Sequence, residues 1–264
     1  MMAPAAGELL IEDWLTQRLP TDTSVELTNI TRQYGTLVLA GPDARKVLAK
    51  LTDSDLSNEG FPWFTGQEIE VAGAPVRALR MNFVGELGWE LHHPIEHQAA
   101  LYDALIDAGK EWDIKDFGLR AMDSMRLEKG YPMWGHDLIT EFTALEANLG
   151  WFVKLDKGEF EGRAALALQK EQGVETKLVL LEIDTTDVDA ATGMEPVYQD
   201  GNVVGQVSSG GYGHRVQKSL ALAYVNTDAI GADLTVKILG NHYPAKATKG
   251  CVYDPKGELL KSDA

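Results

Sequence analysis

Residues 83–91 read "FVGELGWEL", with two carboxylates, Glu86 and Glu90, set among large apolar side chains and two glycines. An ionised carboxylate accepts two parallel hydrogen bonds, so it suits a ligand edge that carries adjacent N–H donors. The two acids differ in context. Glu86 lies between Gly85 and Gly88, and a carboxylate in such a turn is expected in solvent. Glu90 alternates with Trp89 and Leu91, so on a regular strand it points away from that apolar pair. Two readings of Glu90 stand at this point: an acid on an outer sheet face, or one that faces a flat polar heterocycle.

Residues 118–137, "GLRAMDSMRLEKGYPMWGHD", form a second dense stretch. Arg120, Asp123 and Arg126 recur every three positions, which puts them on one side of a helix. They suit either a surface ladder or a buried network that braces a ligand site, and residue type does not choose between them. Residues 208–219, "SSGGYGHRVQKS", have the glycine content of a barrel loop but neither phosphate-cradling pattern, GxGxxG or GK[ST]. On such a loop Tyr212, His214 and Arg215 are within reach of a ligand. His93 and His97 have helical spacing, but Pro94 interrupts it and no HExxH is present, so no metal site is expected. Cys251 is the only cysteine. It has no neighbouring histidine and reads as an incidental thiol rather than a nucleophile. No nucleophile elbow or Ser–His–Asp pattern is found.

The elements that must carry these residues follow from periodicity and breakers. Residues 9–18 read as a short helix with Leu10, Trp14 and Leu15 on one face, stopped by Pro20. "SVELTNI" and "YGTLVLAG" read as strands, "GPDARKVLAKLT" as a helix with Pro42 in its first turn. "GQEIEVAG" and "APVRALRMNF" are strands joined tightly around Gly73, and "LGWELHH" is a further strand. Helices are predicted over residues 95–108, 118–128 and 160–173. Beyond them come short alternating strands, with Asp200-Gly201 as a hairpin signal. The fold class is α+β, a ferredoxin-like (split βαβ) domain followed by a small β-barrel.

The bulk numbers narrow the function. The chain has 264 residues, 44% hydrophobic and 24% charged, with a net charge of −16. That balance fits a globular protein with a substantial core. The negative charge, without any basic stripe, argues against nucleic acid and anionic membranes as partners. No apolar run approaches about 18 residues, so no membrane-spanning helix is expected. The N-terminus lacks the basic-then-apolar order of a secretory signal, and a cytoplasmic location is expected.

In order and spacing, "FVGELGWEL", "GLRAMDSMRLEKGYPMWGHD", "TALEANLGWFVKLDKGEFEGRAAL" and "VSSGGYGHRVQKSLALAYV" resemble the glycine cleavage T-protein (aminomethyltransferase) family. Within it they are most similar to the folate-binding C-terminal part of dimethylglycine and sarcosine dehydrogenases. The resemblance implies a folate-binding α+β domain over residues 1–170, partial, and a C-terminal barrel over 171–264. It implies tetrahydrofolate as cofactor, with Glu90 holding the donor edge of the pterin. Phe83, where relatives often have Tyr, would lie on the pterin face, and Trp134 would line the pocket. Arg120 and Asp123 match the helix motif that neighbours the folate tail. The implied reaction passes a one-carbon unit to tetrahydrofolate from a methylated amine such as dimethylglycine or sarcosine, or from a glycine-derived aminomethyl group. The implied partners are a flavin-dependent dehydrogenase domain or a lipoyl carrier protein.

The family's catalytic aspartate belongs to a segment upstream of the matched motifs. The N-terminal part of the family domain is therefore expected to be missing, and no catalytic residue is carried over. Asp123 corresponds to the helix-motif aspartate instead. A folate-binding module without turnover and a folate-dependent demethylase of another methylated donor are the alternative functions.

Overall fold

The computed structural model describes residues 1–186 and 191–262. They group into two compact units, one of Met1–Asn82 with Leu87–Lys115, the other of Phe83–Glu86 with Asp116–Ser262.

The first unit opens with α1 (Glu8–Thr16), which buries none of its residues. Residues 24–30, expected as a strand, pair with no strand among the described residues and stay exposed. Their alternation is real, but a β-prone sequence becomes a strand only where a neighbour supplies the ladder and the packing. Then follow β1 (Tyr34–Ala40), α2 (Ala44–Ala49), β2 (Gly66–Val71), β3 (Ala74–Leu79), β4 (Gly88–Pro94) and α3 (Gln98–Gly109). The strands form one sheet in the order β1-β4-β3-β2, and each neighbouring pair is antiparallel. The parallel strands β1 and β3 are thus split by β4. The β2–β3 hairpin turns on Ala72 and Gly73, both with positive φ (49° and 78°), the geometry that matches strand twist. Leu39, Val47, Leu48, Val71, Trp89, Leu91, Leu101 and Leu105 make up the core beneath α2 and α3. Along β4, Trp89, Leu91 and His93 are buried and Glu90 and His92 half-buried. The strand period therefore sets Glu90 and His92 on the sheet face turned away from those helices.

The second unit contains α4 (Leu119–Glu128) and α5 (Arg163–Gln172). The latter starts later than its sequence suggests because Gly162, at its N-cap, has φ 86°. Six strands follow: β5 (Thr176–Ile183), β6 (Pro196–Gln199), β7 (Asn202–Gly213), β8 (Lys218–Asn226), β9 (Leu234–Ile238) and β10 (Asn241–Ala247). They close into a barrel in the order β10-β5-β8-β7-β6-β9, which leaves no open sheet edge. Asp200 and Gly201, with φ 49° and 80°, make the β6–β7 turn that their sequence announces. The α+β class with a closing barrel is therefore as expected.

Strand β8 is buried along nearly its whole length because both of its faces are covered. Ala221, Ala223 and Val225 belong to the cluster shared with Val197, Val207, Leu234 and Val236, where small residues fit a narrow barrel interior. Leu220, Leu222 and Tyr224 face the other way and pack with Leu127 of α4. The "SSGGYG" run, expected as a loop, is the distal part of β7, paired with β8 as far as Gly213↔Lys218. Its glycines serve close approach rather than a turn: a Cβ at Gly213 would lie 2.8 Å from Glu128 Cγ. No helix among the described residues is long and apolar enough to cross a membrane.

Candidate functional site

In the first unit, β4 holds Glu90 between Val38 of β1 and Leu79 of β3. Its side chain is 24% exposed, and Oε2 lies 3.3 Å from His92 Nε2. His92 Nδ1 is in turn 2.9 Å from Thr36 Oγ1. A carboxylate only accepts, so Nε2 of His92 carries the proton in that contact. Among the described residues no other hydrogen bond reaches the Glu90 carboxylate. Arg77, directly opposite His92, turns instead to Glu68 at 3.0 Å. Glu90 is therefore an acceptor with unused capacity, half-buried on a rigid strand. His93, on the other face, is a core residue: its ring nitrogens lie 2.9 Å from Leu91 O and 2.8 Å from Gln98 Oε1.

In the second unit, Phe83 stacks on Tyr131 with ring centroids 6.2 Å apart and planes at 24°. Burial raises the Tyr131 hydroxyl pKa above its ordinary value. The segment around Phe83 is pinned by Arg215, which donates to Val84 O at 3.3 Å and pairs with Glu86. Tyr253 donates to Glu86 at 2.8 Å, and the Arg215 guanidinium lies 3.7 Å from the Tyr253 ring centroid. Glu86, expected in solvent, is instead only 15% exposed and ion-paired. The turn that delivers it depends on Gly85, which has φ 71° and on which a Cβ would lie 2.0 Å from Lys129 Cγ. Arg215 also pairs with Glu128, which is fully buried and accepts from Arg215 N at 2.7 Å. Arg215 is thus an internal bracket, not a loop residue extended toward a ligand.

The "GHD" stretch ends on a second buried acid. Asp137 Oδ2 accepts from Arg126 Nη1 at 2.7 Å and Met133 N at 2.8 Å. Oδ1 accepts from Ser209 Oγ at 2.6 Å and from Ser208 Oγ. Adjacent strand residues normally point to opposite faces. Here the register of β7 slips between Val207 and Ser209, and the bulge brings both hydroxyls to one carboxylate. The carbonyl of Asp137 accepts from Tyr224 OH at 2.8 Å. Burial first, then the charges of Asp137 and Glu146, pushes the Tyr224 pKa up to about 12.

The residues singled out in sequence are placed as follows. Asp123 is partly exposed and accepts from Arg126 Nε at 2.7 Å, while Arg126 is buried. The three-residue ladder is therefore a buried network at its Arg126 end, and Arg120, at the start of α4, is exposed. Trp134 is 39% exposed in the turn that Asp137 anchors. Sequence reasoning missed the roles of Glu86, Glu128 and Asp137. The one available signal was their density of acids beside arginines in apolar surroundings.

A helix-backed antiparallel sheet followed by a closed six-stranded barrel defines an α+β protein with a C-terminal barrel domain. Comparison with known proteins makes the class specific. Residues 1–157 match the GCVT N-terminal domain and residues 176–254 the glycine cleavage T-protein C-terminal barrel domain. The chain belongs to the glycine cleavage T-protein family. Dimethylglycine dehydrogenase of Homo sapiens is 45% identical over 224 residues, covering 84% of this chain and 26% of that protein. Sarcosine dehydrogenase of Homo sapiens is 34% identical over 246 residues, covering 89% of this chain and 27% of that protein. The aminomethyltransferase of Caldanaerobacter subterraneus subsp. tengcongensis is 36% identical over 223 residues, covering 84% of this chain and 59% of that protein. The chain thus spans about a quarter of the length of these dehydrogenases. The crystal structure of the glycine cleavage system aminomethyltransferase T from Bartonella henselae shares the fold. Its TM-score is 0.80 at 24% identity, over 96% of this chain and 68% of that one.

Proposed function

We propose that this chain binds tetrahydrofolate and serves the transfer of a one-carbon unit to it from a methylated amine or a glycine-derived aminomethyl group. The observation that carries the reading is the unsaturated Glu90 carboxylate, held on β4 with a single hydrogen-bond partner among the described residues. The donor set fits the group: a pterin presents an amino group beside a ring N–H, and a carboxylate with spare lone pairs accepts both. Membership of the T-protein family and the aminomethyltransferase relatives support the same reading.

When bound, tetrahydrofolate supplies the amine that takes up the one-carbon unit. This chain's contribution is orientation: Glu90 fixes the pterin edge, and a fixed edge sets where the reactive nitrogen lies. By motif match, Phe83 and Trp134 offer aromatic surface, and Arg120 and Asp123 offer polar contacts. Each of these assignments is a separate proposal with its own alanine variant. The dehydrogenase relatives support a flavin-dependent dehydrogenase domain as the source of the one-carbon unit; a lipoyl carrier is the alternative source that the family resemblance implies.

Calorimetry with tetrahydrofolate tests the core of this reading. Glu90→Gln replaces an acceptor with a donor that faces donors. It is expected to weaken binding by about 1–3 kcal/mol, the cost of an unsatisfied polar contact. An unchanged affinity in Glu90→Gln would remove the pterin assignment.

A further inference from the structure

We infer that His92 is a positioning residue for Glu90, and that the line Thr36–His92–Glu90 sets the direction in which the carboxylate presents its free lone pairs. The inference deepens the proposed function and rests on it. It starts from the register of the sheet: Thr36 of β1 and Arg77 of β3 flank His92 on β4. Arg77 is drawn to Glu68 at 3.0 Å, so it does not compete with His92 for Glu90. His92 is only 18% exposed, and its two ring nitrogens are both engaged, Nδ1 with Thr36 Oγ1 at 2.9 Å and Nε2 with Glu90 Oε2 at 3.3 Å.

The proton positions follow from chemistry. Glu90 is an acceptor only, so Nε2–H donates to it, and in the neutral ring Nδ1 then accepts from the threonine hydroxyl. The carboxylate thereby sets the tautomer, and the Thr36 hydroxyl, which can donate, holds the ring in that orientation. A carboxylate has about four lone-pair sites, and His92 occupies one of them on Oε2. The remaining sites, including both on Oε1, suffice for a two-point contact with a donor–donor edge. Without His92 the glutamate side chain would rotate among several rotamers, and ordering it would reduce affinity.

The test is tetrahydrofolate calorimetry on the 264-residue chain with five variants: Glu90→Gln, His92→Ala, His92→Gln, Thr36→Val and the double variant Glu90→Gln/His92→Ala. His92→Ala is expected to raise Kd by up to about tenfold, the scale of ordering one free side chain on binding. His92→Gln keeps an N–H at the Nε2 position and is expected to restore Kd to within about threefold, a rescue that a purely structural role would not show. Thr36→Val should fall between the two. In the Glu90→Gln background, His92→Ala should add nothing, because the two act as a unit. If Glu90→Gln weakens binding but His92→Ala does not, or if His92→Gln fails to rescue while melting temperatures stay equal, the positioning role is overturned and the pterin reading survives. If wild type does not bind tetrahydrofolate, or Glu90→Gln binds as wild type does, both fall together.

Discussion

Asp137 and Glu90 are both acids beside aromatic and apolar neighbours, one in each unit, and their surroundings are opposite. Asp137 is fully buried and accepts from Arg126, Met133 N, Ser208 and Ser209. Those four donors saturate its lone pairs. Glu90 is a quarter exposed and accepts from His92 alone among the described residues. A saturated buried carboxylate has nothing left to offer a ligand, and its removal strands every donor around it. An unsaturated one contributes little to the fold and keeps its capacity for something else. The contrast separates a saturated acid from one with unused accepting capacity, by their hydrogen bonds alone.

That contrast can be broken or sharpened by substitution. The largest effect is expected at Asp137. Asp137→Ala leaves the Arg126 charge buried without its fully buried partner and should destabilise the protein by about 4 kcal/mol, read from urea denaturation midpoints. A cost below about 1 kcal/mol would show that the network is not saturated as described. Next comes Arg215→Ala, which leaves the fully buried Glu128 with backbone donors but without its paired guanidinium and should cost about 3 kcal/mol. It should also speed amide exchange in residues 84–86, the segment that Arg215 pins through Val84 O and Glu86. Uniform exchange in that segment would show that other contacts hold it.

Tyr224→Phe removes the hydrogen bond to the Asp137 carbonyl and should cost about 1 kcal/mol at neutral pH. Its pH dependence has a definite sign. The folded pKa of about 12 stands above the ordinary value of 10.0. The native state therefore favours the protonated phenol, and the associated stability is complete below pH 10 and lost as pH rises toward 12. Burial, and next the Glu86 hydrogen bond, raises Tyr253 in the same direction. Wild type should lose stability across that alkaline window, and Tyr224→Phe should lose less. Equal slopes in the two proteins would contradict the assignment. The smallest effect belongs to Glu90→Gln, a volume-conserving change outside the core, which should alter folding stability by less than about 0.5 kcal/mol. A loss of several kcal/mol there would make Glu90 a second structural acid.

Much of the framework was legible in the chain. The alternation of Trp89, Glu90 and Leu91 placed Glu90 opposite the core, because side-chain direction on a strand depends only on neighbours one and two residues away. Asp200-Gly201 announced its hairpin because both residues tolerate positive φ. The run "SLALAYV" was legible as a short strand, but its burial on both faces was not, because the second covering comes from α4. Other features were not legible. Residues 24–30 have a strand's composition but pair with no strand among the described residues. The "SSGG" run reads as a loop by glycine content, yet its glycines serve close packing along β7 and its serines converge only through a bulge. Glu86 reads as a turn acid in solvent, and its burial depends on Arg215, which lies 129 positions along the chain.

By itself, then, the sequence determined most of the elements, the face on which Glu90 stands and the family to which the chain belongs. Each of these rests on local periodicity or on ordered motifs. Only the tertiary structure decided which carboxylates are saturated and which keep free lone pairs. Asp137 draws its donors from α4, the turn that follows it and β7, and Glu128 draws on the β7–β8 turn. Hydrogen-bond satisfaction depends on which distant groups the folded chain brings within about 3 Å, and no window of sequence carries that information.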